Sequence, residues 1–209
     1  MIVLKVGGAV TGVTELSELD DTVVVHGAGP QITAAMAEAG LTATFVRGRR
    51  VTVAAALPVV REALLEVNRQ LCATIGTRAV GLVGDEIGLR ATPVPELGEV
   101  GTPVPSRPQA ILDALDAGLV PIVAPIAEGP LNVNADEAAA ALAVGLGAER
   151  IIFHTDVPGV VLPRIEADEA DRLLGEEVFE GGIVPKLQAA IHAARGGVRA
   201  EIGMTEVVA

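Results

Sequence analysis

The chain has 209 residues, half of them hydrophobic, which is enough to bury a full core and most simply forms one domain of two lobes. Its formal net charge of −12 argues against an extended basic surface for binding nucleic acid. Aromatic residues make up 1% of the chain, so the core must be built from Val, Leu, Ile and Ala, which is typical of a buried parallel sheet covered by helices.

Short apolar segments bounded by Gly, Pro or Asp alternate with segments of helical spacing along the chain. The strands are predicted at 2–6, 22–26, 79–83, 119–125 and 150–154, with a closing strand around 200–204. Helices are predicted from Pro30, Ala56, Pro108 and Ala135, and a last one follows a turn at Gly181. Because alternating strands and helices imply right-handed crossovers, we predict an α/β fold with a mainly parallel sheet.

The stretch 91–106 is rich in Pro and Gly and predicts a hairpin or an irregular excursion between the two halves of the chain. The single cysteine, Cys72, has no disulfide partner and no His/Cys cluster near it, which favours a reducing compartment and a role as a small core residue. No basic segment precedes the first apolar stretch, and none reaches the roughly 18 apolar residues of a membrane span. We expect a cytoplasmic protein without membrane or nucleic-acid partners.

Two glycine-containing loops follow the first two predicted strands. KVGG begins at Lys5, and HGAGP begins at His26 and leads into a helix. Loops at the carboxyl ends of parallel strands present backbone N–H groups and helix N-termini to ligands. Neither loop is a Walker A or a G-x-G-x-x-G motif, so each is also compatible with a tight turn that needs glycine.

Two polar motifs in the interior of the chain suggest a binding site. In LNVNADEAAAALA, Asn132, Asn134 and Asp136 stand at the mouth of an Ala-rich helix. Asp136 could be an ordinary helix cap, but a cap alone does not account for the two asparagines. In GRRVT, Arg50 is either a solvated charge or a planar fork that grips a carboxylate, and its neighbour Arg49 is interpreted as the solvated one.

The lysines are the next signal, because Lys5 and Lys186 are the two lysines among fifteen positively charged residues. A phosphoryl group in transfer spreads its charge over several oxygens, and compact ammonium groups at separate strand ends could approach it from opposite sides. A genome that favours Arg codons is the alternative explanation. HTDVPGV, from His154, could edge a nucleotide pocket through Asp156 and Gly159, or form a plain β-turn.

In chain order, KVGG, HG-x-G-P, G-x-R-V-T, N-V-N-A-D, TDV-x-GV and GG-x-x-x-K resemble the motifs of the amino-acid kinase family, from residue 1 to about residue 200. GRRVT and LNVNAD favour the acetylglutamate branch of that family. The resemblance implies a three-layer α/β/α sandwich, with a substrate lobe over about 1–130 and a nucleotide lobe over about 131–209.

The reaction that the resemblance implies is transfer of the γ-phosphoryl group of ATP, with Mg²⁺, to the side-chain carboxylate of N-acetyl-L-glutamate in arginine biosynthesis. No metal ligand from a protein side chain is implied. Lys5 and Lys186 match the two lysines that stabilise the transition state, and Asp136 matches the aspartate that orients both. Because the acceptor carboxylate is already ionised, no general base is needed, and His26 is interpreted as a loop-orienting residue.

The resemblance also implies the binding residues. The transferred phosphoryl group and the carboxylate end of the substrate are expected to contact Gly8, Gly27, Ala28, Arg50 and Asn132. The edge of the nucleotide pocket is expected to consist of Thr155, Asp156, Val157, Gly159, Gly181 and Gly182.

The chain departs from the family pattern in several places. Ala28 stands where the family usually has glycine, so a backbone that required positive φ or very close phosphate approach there would be impaired. The first helix is reduced to little more than 13–21, and the segment between Gly159 and Gly181 is short. No N-terminal helical extension like that of the arginine-inhibited hexamers is present, which implies a homodimer with weak or absent arginine control.

Two alternatives stay open at this point. The same fold could phosphorylate a related acceptor, such as an aminoadipyl carrier protein or another small carboxylate, because Arg50 and Asn132 would hold a carboxylate in either case. The chain could instead be a catalytically weak regulatory relative that binds ligand. Retention of both lysines and Asp136 favours an enzyme, because a binding module has little use for charges placed around a phosphoryl group.

Overall fold

The computed structural model describes residues 1–8, 20–155, 162–176, 178–179 and 181–209. Its strands are β1 (Ile2–Val6), β2 (Thr22–His26), β3 (Phe45–Val46), β4 (Arg49–Arg50), β5 (Ala79–Val83), β6 (Ala91–Pro93), β7 (Val100–Pro103), β8 (Val120–Ala124), β9 (Ile126–Ala127), β10 (Leu131–Val133), β11 (Arg150–Phe153), β12 (Arg164–Glu166), β13 (Arg199–Ile202) and β14 (Thr205–Val208). Its helices are α1 (Gly29–Glu38), α2 (Leu57–Ile75), α3 (Gly84–Ile87), α4 (Gln109–Asp116), α5 (Ala135–Leu146), α6 (Ala167–Gly175) and α7 (Ile183–Arg195).

The central sheet has the strand order β12-β14-β13-β11-β1-β2-β8-β5. Its neighbouring strands run parallel except for the antiparallel pair β13 and β14. The first strand of the chain lies inside the sheet, where Lys5 is in register with Val25 of β2 and Phe153 of β11. The predicted α/β class with a mainly parallel sheet is confirmed.

Helices cover both faces of this sheet. On β2, Val23 and Val25 belong to one core cluster, together with residues of α5 and α7. Val24, between them, belongs to a second cluster that contains the buried faces of α1 and α2. Because successive side chains of a strand point to opposite faces, the two clusters are the two sides of the sheet, and the arrangement is the expected three-layer sandwich.

Most predicted elements are present, with their ends shifted by one or two residues. The stretch 91–106 contains a hairpin, in which β6 and β7 pair antiparallel and join β10 and β9 in a separate four-stranded sheet. The closing strand predicted around 200–204 is β13, and β14 follows it. The short first helix expected at 13–21 falls almost wholly outside the described residues.

Strands β3 and β4 form a small hairpin that the sequence did not reveal. Arg47 and Gly48 connect them, with φ of 49° and 76°, so both turn residues occupy the left-handed region that a two-residue hairpin turn requires. Both residues of β3, Phe45 and Val46, have exposed side chains. As for membrane association, none of the helices in the described residues combines the length and the apolar character that crossing a bilayer requires.

Candidate active site

A cavity of about 210 Å³ opens where β1, β2 and β8 end and where α1 and α5 begin. Loops at the carboxyl ends of parallel strands are the usual ligand sites of such sheets. Six of the residues predicted to catalyse or to bind substrate line it: Lys5, Gly27, Ala28, Arg50, Asn132 and Asp136. Motifs separated by more than a hundred residues therefore meet at one site.

Asp136 lies between the two lysines of the chain. Lys5 Nζ is 2.9 Å from Asp136 Oδ1, and Lys186 Nζ is 3.9 Å from Asp136 Oδ2. Lys5 and Asp136 are both buried, whereas Lys186 is partly exposed. Lys186 does not stand at a strand end, as the sequence suggested; it lies in the first turn of α7, which begins at Ile183. Each carboxylate oxygen thus faces a different ammonium group.

Asp136 is free for this role because Asn134 caps the helix. Asn134 Oδ1 accepts hydrogen bonds from the backbone N–H of Asp136 at 2.8 Å and of Glu137 at 3.2 Å. The interpretation of Asp136 as an ordinary cap is therefore wrong. An asparagine satisfies the first N–H groups of α5 as well as an aspartate would, and it leaves the carboxylate for the lysines.

The glycine loops approach each other closely at the cavity wall. A methyl group at Gly8 would lie 2.9 Å from the Cα of Ala28, so a side chain at this position would clash with the neighbouring loop. Ala28 has φ −148°, so this backbone does not need the left-handed region, whereas an effect of its methyl group on phosphate approach stays a prediction. No side chain caps α1, which begins at the wall of the cavity with Gly29.

His26 orients the loop that follows it from a fully buried position. Its Nδ1 lies 3.3 Å from the carbonyl oxygen of Gly27, and Asn68 Nδ2 lies 3.2 Å from its Nε2. Asn68 Nδ2 also donates to the carbonyl of Ile122 at 2.8 Å. Burial lowers the pKa of His26 from 6.5 to about 4, so the ring is neutral, donates from Nδ1 and accepts at Nε2.

Arg50 is buried rather than solvated. Its Nη2 donates to the carbonyl oxygen of Gly29 at 3.1 Å and to Thr33 Oγ1 at 2.9 Å, and its guanidinium lies 4.6 Å from the ring centre of Phe45. Burial lowers the pKa of Arg50 below its ordinary value. Among the residues that the structure describes, no carboxylate is within ion-pair distance of this guanidinium, so a buried positive charge faces the cavity.

Arg49 is not the solvated residue that the sequence suggested. Its Nε and Nη2 donate to the two carboxylate oxygens of Glu137 at 2.9 and 2.7 Å, and its Nη1 donates to Thr102 Oγ1 at 2.9 Å. Burial raises the pKa of Glu137, and the guanidinium of Arg49 opposes that rise. Consecutive strand residues point to opposite sides, so Arg49 faces α5 while Arg50 faces α1.

Asn132 contacts the segment that follows Arg50. Its Nδ2 donates to Thr52 Oγ1 at 2.9 Å, and Thr52 Oγ1 donates to the carbonyl oxygen of Arg50 at 3.1 Å. Both Asn132 and Thr52 are buried. The two residues predicted to hold the substrate carboxylate, Arg50 and Asn132, are therefore connected through one threonine.

The predicted nucleotide edge is described only in part. Thr155 follows β11, and Gly181 and Gly182 precede α7, where both are exposed. Gly181 has φ 66°, which favours glycine at this turn. Asp156, Val157 and Gly159 lie outside the described residues. In the described part of the chain, no three His, Cys, Asp or Glu side chains are grouped so as to hold a metal ion.

Sequence reasoning missed Glu137, Thr52 and Asn68 as contributors to the site. Glu137 follows Asp136 and Thr52 ends GRRVT, so both stood inside motifs already singled out. Asn68 gave a weaker signal. Besides Asn132 and Asn134 it is the one other asparagine of the chain, and it occupies a buried position on the apolar face of α2. An amide on such a face requires hydrogen-bond partners, which His26 and Ile122 provide.

The sequence profile of the amino acid kinase family matches residues 1–203. The chain therefore belongs to the amino acid kinase family, which confirms the resemblance drawn from the six motifs. Acetylglutamate kinase of Rubrobacter xylanophilus is 40% identical over 221 residues, covering 96% of this chain and 87% of that protein. Acetylglutamate kinase of Thermus thermophilus is 40% identical over 217 residues, with 94% and 87% covered.

Solved structures agree on the fold. The protein smu.665 of Streptococcus mutans superposes with a TM-score of 0.84 at 26% identity, covering 99% of this chain and 98% of that one. Carbamate kinase of Giardia lamblia superposes with a TM-score of 0.72 at 15% identity, covering 99% and 97%. At that identity the second likeness concerns the fold alone.

Proposed function

We propose that this protein is an ATP-dependent kinase that phosphorylates the side-chain carboxylate of N-acetyl-L-glutamate, giving N-acetyl-L-glutamyl 5-phosphate for arginine biosynthesis. The observation that carries the proposal is the Lys5–Asp136–Lys186 arrangement in a cavity that also contains the buried guanidinium of Arg50. The identity of about two residues in five with acetylglutamate kinases, over nearly the whole chain, supports the choice of acceptor.

Binding of the acceptor is assigned to Arg50 and Asn132. A guanidinium donates two parallel hydrogen bonds to a carboxylate, and burial strengthens such a contact because water does not compete. N-acetyl-L-glutamate has two carboxylates, so one can be held by Arg50 while the other reaches the phosphoryl group. Asn132 keeps Arg50 in place through Thr52.

Transfer itself is assigned to the lysines. An oxygen of the acceptor carboxylate forms a bond to the γ-phosphorus while the bond to the bridging oxygen breaks, and ADP leaves with that electron pair. Lys5 and Lys186 neutralise the negative charge that spreads over the transferred group, and Asp136 fixes both ammonium groups beforehand. The N–H groups of Ala28 and of the start of α1 supply further positive dipoles, whereas the N–H of Gly27 already donates to the carbonyl oxygen of Val6 at 2.9 Å.

Mg²⁺ is assigned to the ATP phosphates, where it neutralises charge, rather than to a cluster of protein side chains. The nucleotide edge is proposed to include Thr155, Gly181 and Gly182 together with Asp156, Val157 and Gly159. A cytoplasmic homodimer, and the division into a substrate lobe over about 1–130 and a nucleotide lobe over about 131–209, stay predictions.

The experiment that tests the proposed function measures ADP release from Mg·ATP with N-acetyl-L-glutamate, N-acetyl-aminoadipate and free glutamate as acceptors. We expect turnover with N-acetyl-L-glutamate and little with the other two. Lys186→Ala should abolish that turnover, which would also exclude a purely ligand-binding role. Turnover with N-acetyl-aminoadipate alone would reassign the acceptor, and silence with all three would overturn the proposed kinase activity.

A further inference from the structure

Two adjacent pairs of residues divide their roles in the same way. On β4, Arg50 faces the cavity and Arg49 faces away from α1; on α5, Asp136 faces the lysines and Glu137 faces Arg49. The second members of the two pairs bind each other: Arg49, which also borders the cavity, and Glu137 form a bidentate ion pair across 88 positions of sequence. The segment that holds the acceptor is thereby tied to the helix that carries the catalytic aspartate.

The position of the β3–β4 hairpin depends on contacts with other elements of the fold. It forms its own two-stranded sheet, and in the described residues its ladder does not continue into either larger sheet. At its base, Thr52 N donates to the carbonyl of Leu97 and Thr52 O accepts from Glu99 N. Its turn residues, Arg47 and Gly48, are exposed. Between base and turn, Arg49 is the residue that binds the hairpin to both α5 and β7.

The contact has the features of a strong ion pair. The side chains of Arg49 and Glu137 are 25% and 21% exposed, and both carboxylate oxygens are engaged. Bidentate pairs that are shielded from water contribute more than exposed surface pairs, and they fix orientation as well as distance. Three of the five N–H groups of Arg49 are already donated to Glu137 and Thr102, so most of its hydrogen-bonding capacity is engaged within the protein.

We propose that Arg49 and Glu137 are positioning residues that couple the acceptor-binding arginine to the catalytic aspartate. The pair holds β4 at a fixed distance from the first turn of α5, so that Arg50 and Asp136 keep the spacing that one acceptor molecule requires. This inference rests on the proposed function, because it concerns the acceptor of that reaction. Small displacements of a positioned group have large kinetic effects even when the group itself is intact.

The kinetic test compares Arg49→Gln, Glu137→Gln and the double variant with wild type. Each single variant should raise KM for N-acetyl-L-glutamate about fivefold, leave KM for ATP within about twofold, and lower kcat less than it raises the acceptor KM. The double variant should resemble either single one, because both remove the same contact. Additive effects, or unchanged acceptor KM values, would overturn the inference. Arg49→Lys should recover part of the loss.

The matched control is Arg61→Gln. Arg61 also binds two carboxylates, those of Asp85 and Glu86, and at 29% its side chain is about as exposed as Arg49, but its partners follow β5, away from the hairpin. This variant should leave the acceptor KM unchanged. An equal rise in KM in Arg61→Gln would mean that loss of any ion pair has this effect, and would overturn the specific coupling.

Hydrogen exchange provides a readout that does not depend on turnover. Val51 N donates to the carbonyl of Thr44 inside the hairpin. Its amide should exchange several-fold faster in Arg49→Gln and Glu137→Gln than in wild type or Arg61→Gln. Unchanged exchange in both would overturn the coupling. If wild type fails to turn over N-acetyl-L-glutamate, the proposed function fails, whereas this comparison still decides whether the pair holds the hairpin.

Discussion

Lys5 Nζ lies 2.9 Å from Asp136 Oδ1, and both side chains are buried. Lys5 belongs to an inner strand of the sheet, and Asp136 belongs to the first turn of a helix whose cap is a different residue. The pair is therefore fixed by two rigid elements before any ligand binds. Preorganised charge of this kind accelerates a reaction because it need not be rearranged during the chemical step.

Removing the ammonium group of Lys5 should impair chemistry more than binding. We expect Lys5→Ala to lower kcat by about a hundredfold or more, the scale of a lost transition-state charge contact. The measurement is steady-state ADP release at saturating ATP and N-acetyl-L-glutamate. Arg69→Ala, which removes an exposed positive charge from α2, serves as the control and should retain the wild-type rate. A Lys5→Ala enzyme with wild-type kcat would contradict the catalytic assignment.

Substitutions of Asp136 and Asn134 should have different effects, the first on catalysis and the second on the stability of α5. Asp136→Asn removes the charge that orients the lysines, so kcat should fall by about a hundredfold while the helix stays capped. Asn134→Ala removes the acceptor for two N–H groups and should lower the free energy of unfolding by about 1 kcal/mol. The measurements are kinetics for the first variant and urea denaturation for the second. An Asn134→Ala protein with the same free energy of unfolding as wild type would show that Asn134 is not the stabilising cap of α5.

Arg50→Ala should raise KM for the acceptor. A hydrogen bond to a charged group contributes about 1.5–3 kcal/mol, which corresponds to about a ten- to hundredfold rise. The KM for ATP should change little, since the guanidinium is assigned to the acceptor alone. The measurement is a titration of N-acetyl-L-glutamate at fixed saturating ATP. If the KM for ATP rose instead, Arg50 would belong to the nucleotide site.

His26 should make stability depend on pH. Its pKa falls from 6.5 to about 4 in the folded protein, so between these values the unfolded chain binds more protons. The contribution of neutral His26 to the free energy of unfolding is fully present above pH 6.5. It is lost as the pH falls, and the loss reaches about 3 kcal/mol at pH 4. Urea denaturation at pH 7 and pH 4 measures it as a difference between wild type and His26→Gln. Equal pH dependence in both proteins would refute the assignment.

Ala28→Gly should not improve the enzyme. The backbone of Ala28 has φ −148°, and its methyl group is buried in the core beside α1. Glycine would remove that methyl group and add freedom to the unfolded chain, so we expect a loss of about 1 kcal/mol in unfolding free energy. Denaturation and kcat are measured on the same preparation. A clear rise in kcat would show that the methyl group obstructs the phosphoryl site.

The sequence predicted the large regular elements because their apolar periodicity is local. β2, with every residue buried, and α1, which begins at a glycine and proline, needed no tertiary information. The β3–β4 hairpin has two-residue strands and an Arg at a position with positive φ, so no periodicity marked it. Its conformation depends on contacts with residues far away in sequence.

The candidate site shows the same limit. Asp136, Arg50 and Lys5 were found because motif order indicated them, and the structure brings them to one cavity. The burial of Arg49 was missed because its partner, Glu137, is 88 positions away. A charged residue is solvated unless something binds it, and that partner can be recognised only once the fold is known.

The order of the strands also bears on how the protein is made. β12 pairs with β14 alone among the described strands, and β14 is formed by Thr205–Val208. During synthesis β12 emerges from the ribosome before its partner exists, whereas β1, β2 and β8 can associate much earlier. This edge of the sheet can therefore form only after β14 has left the ribosomal tunnel.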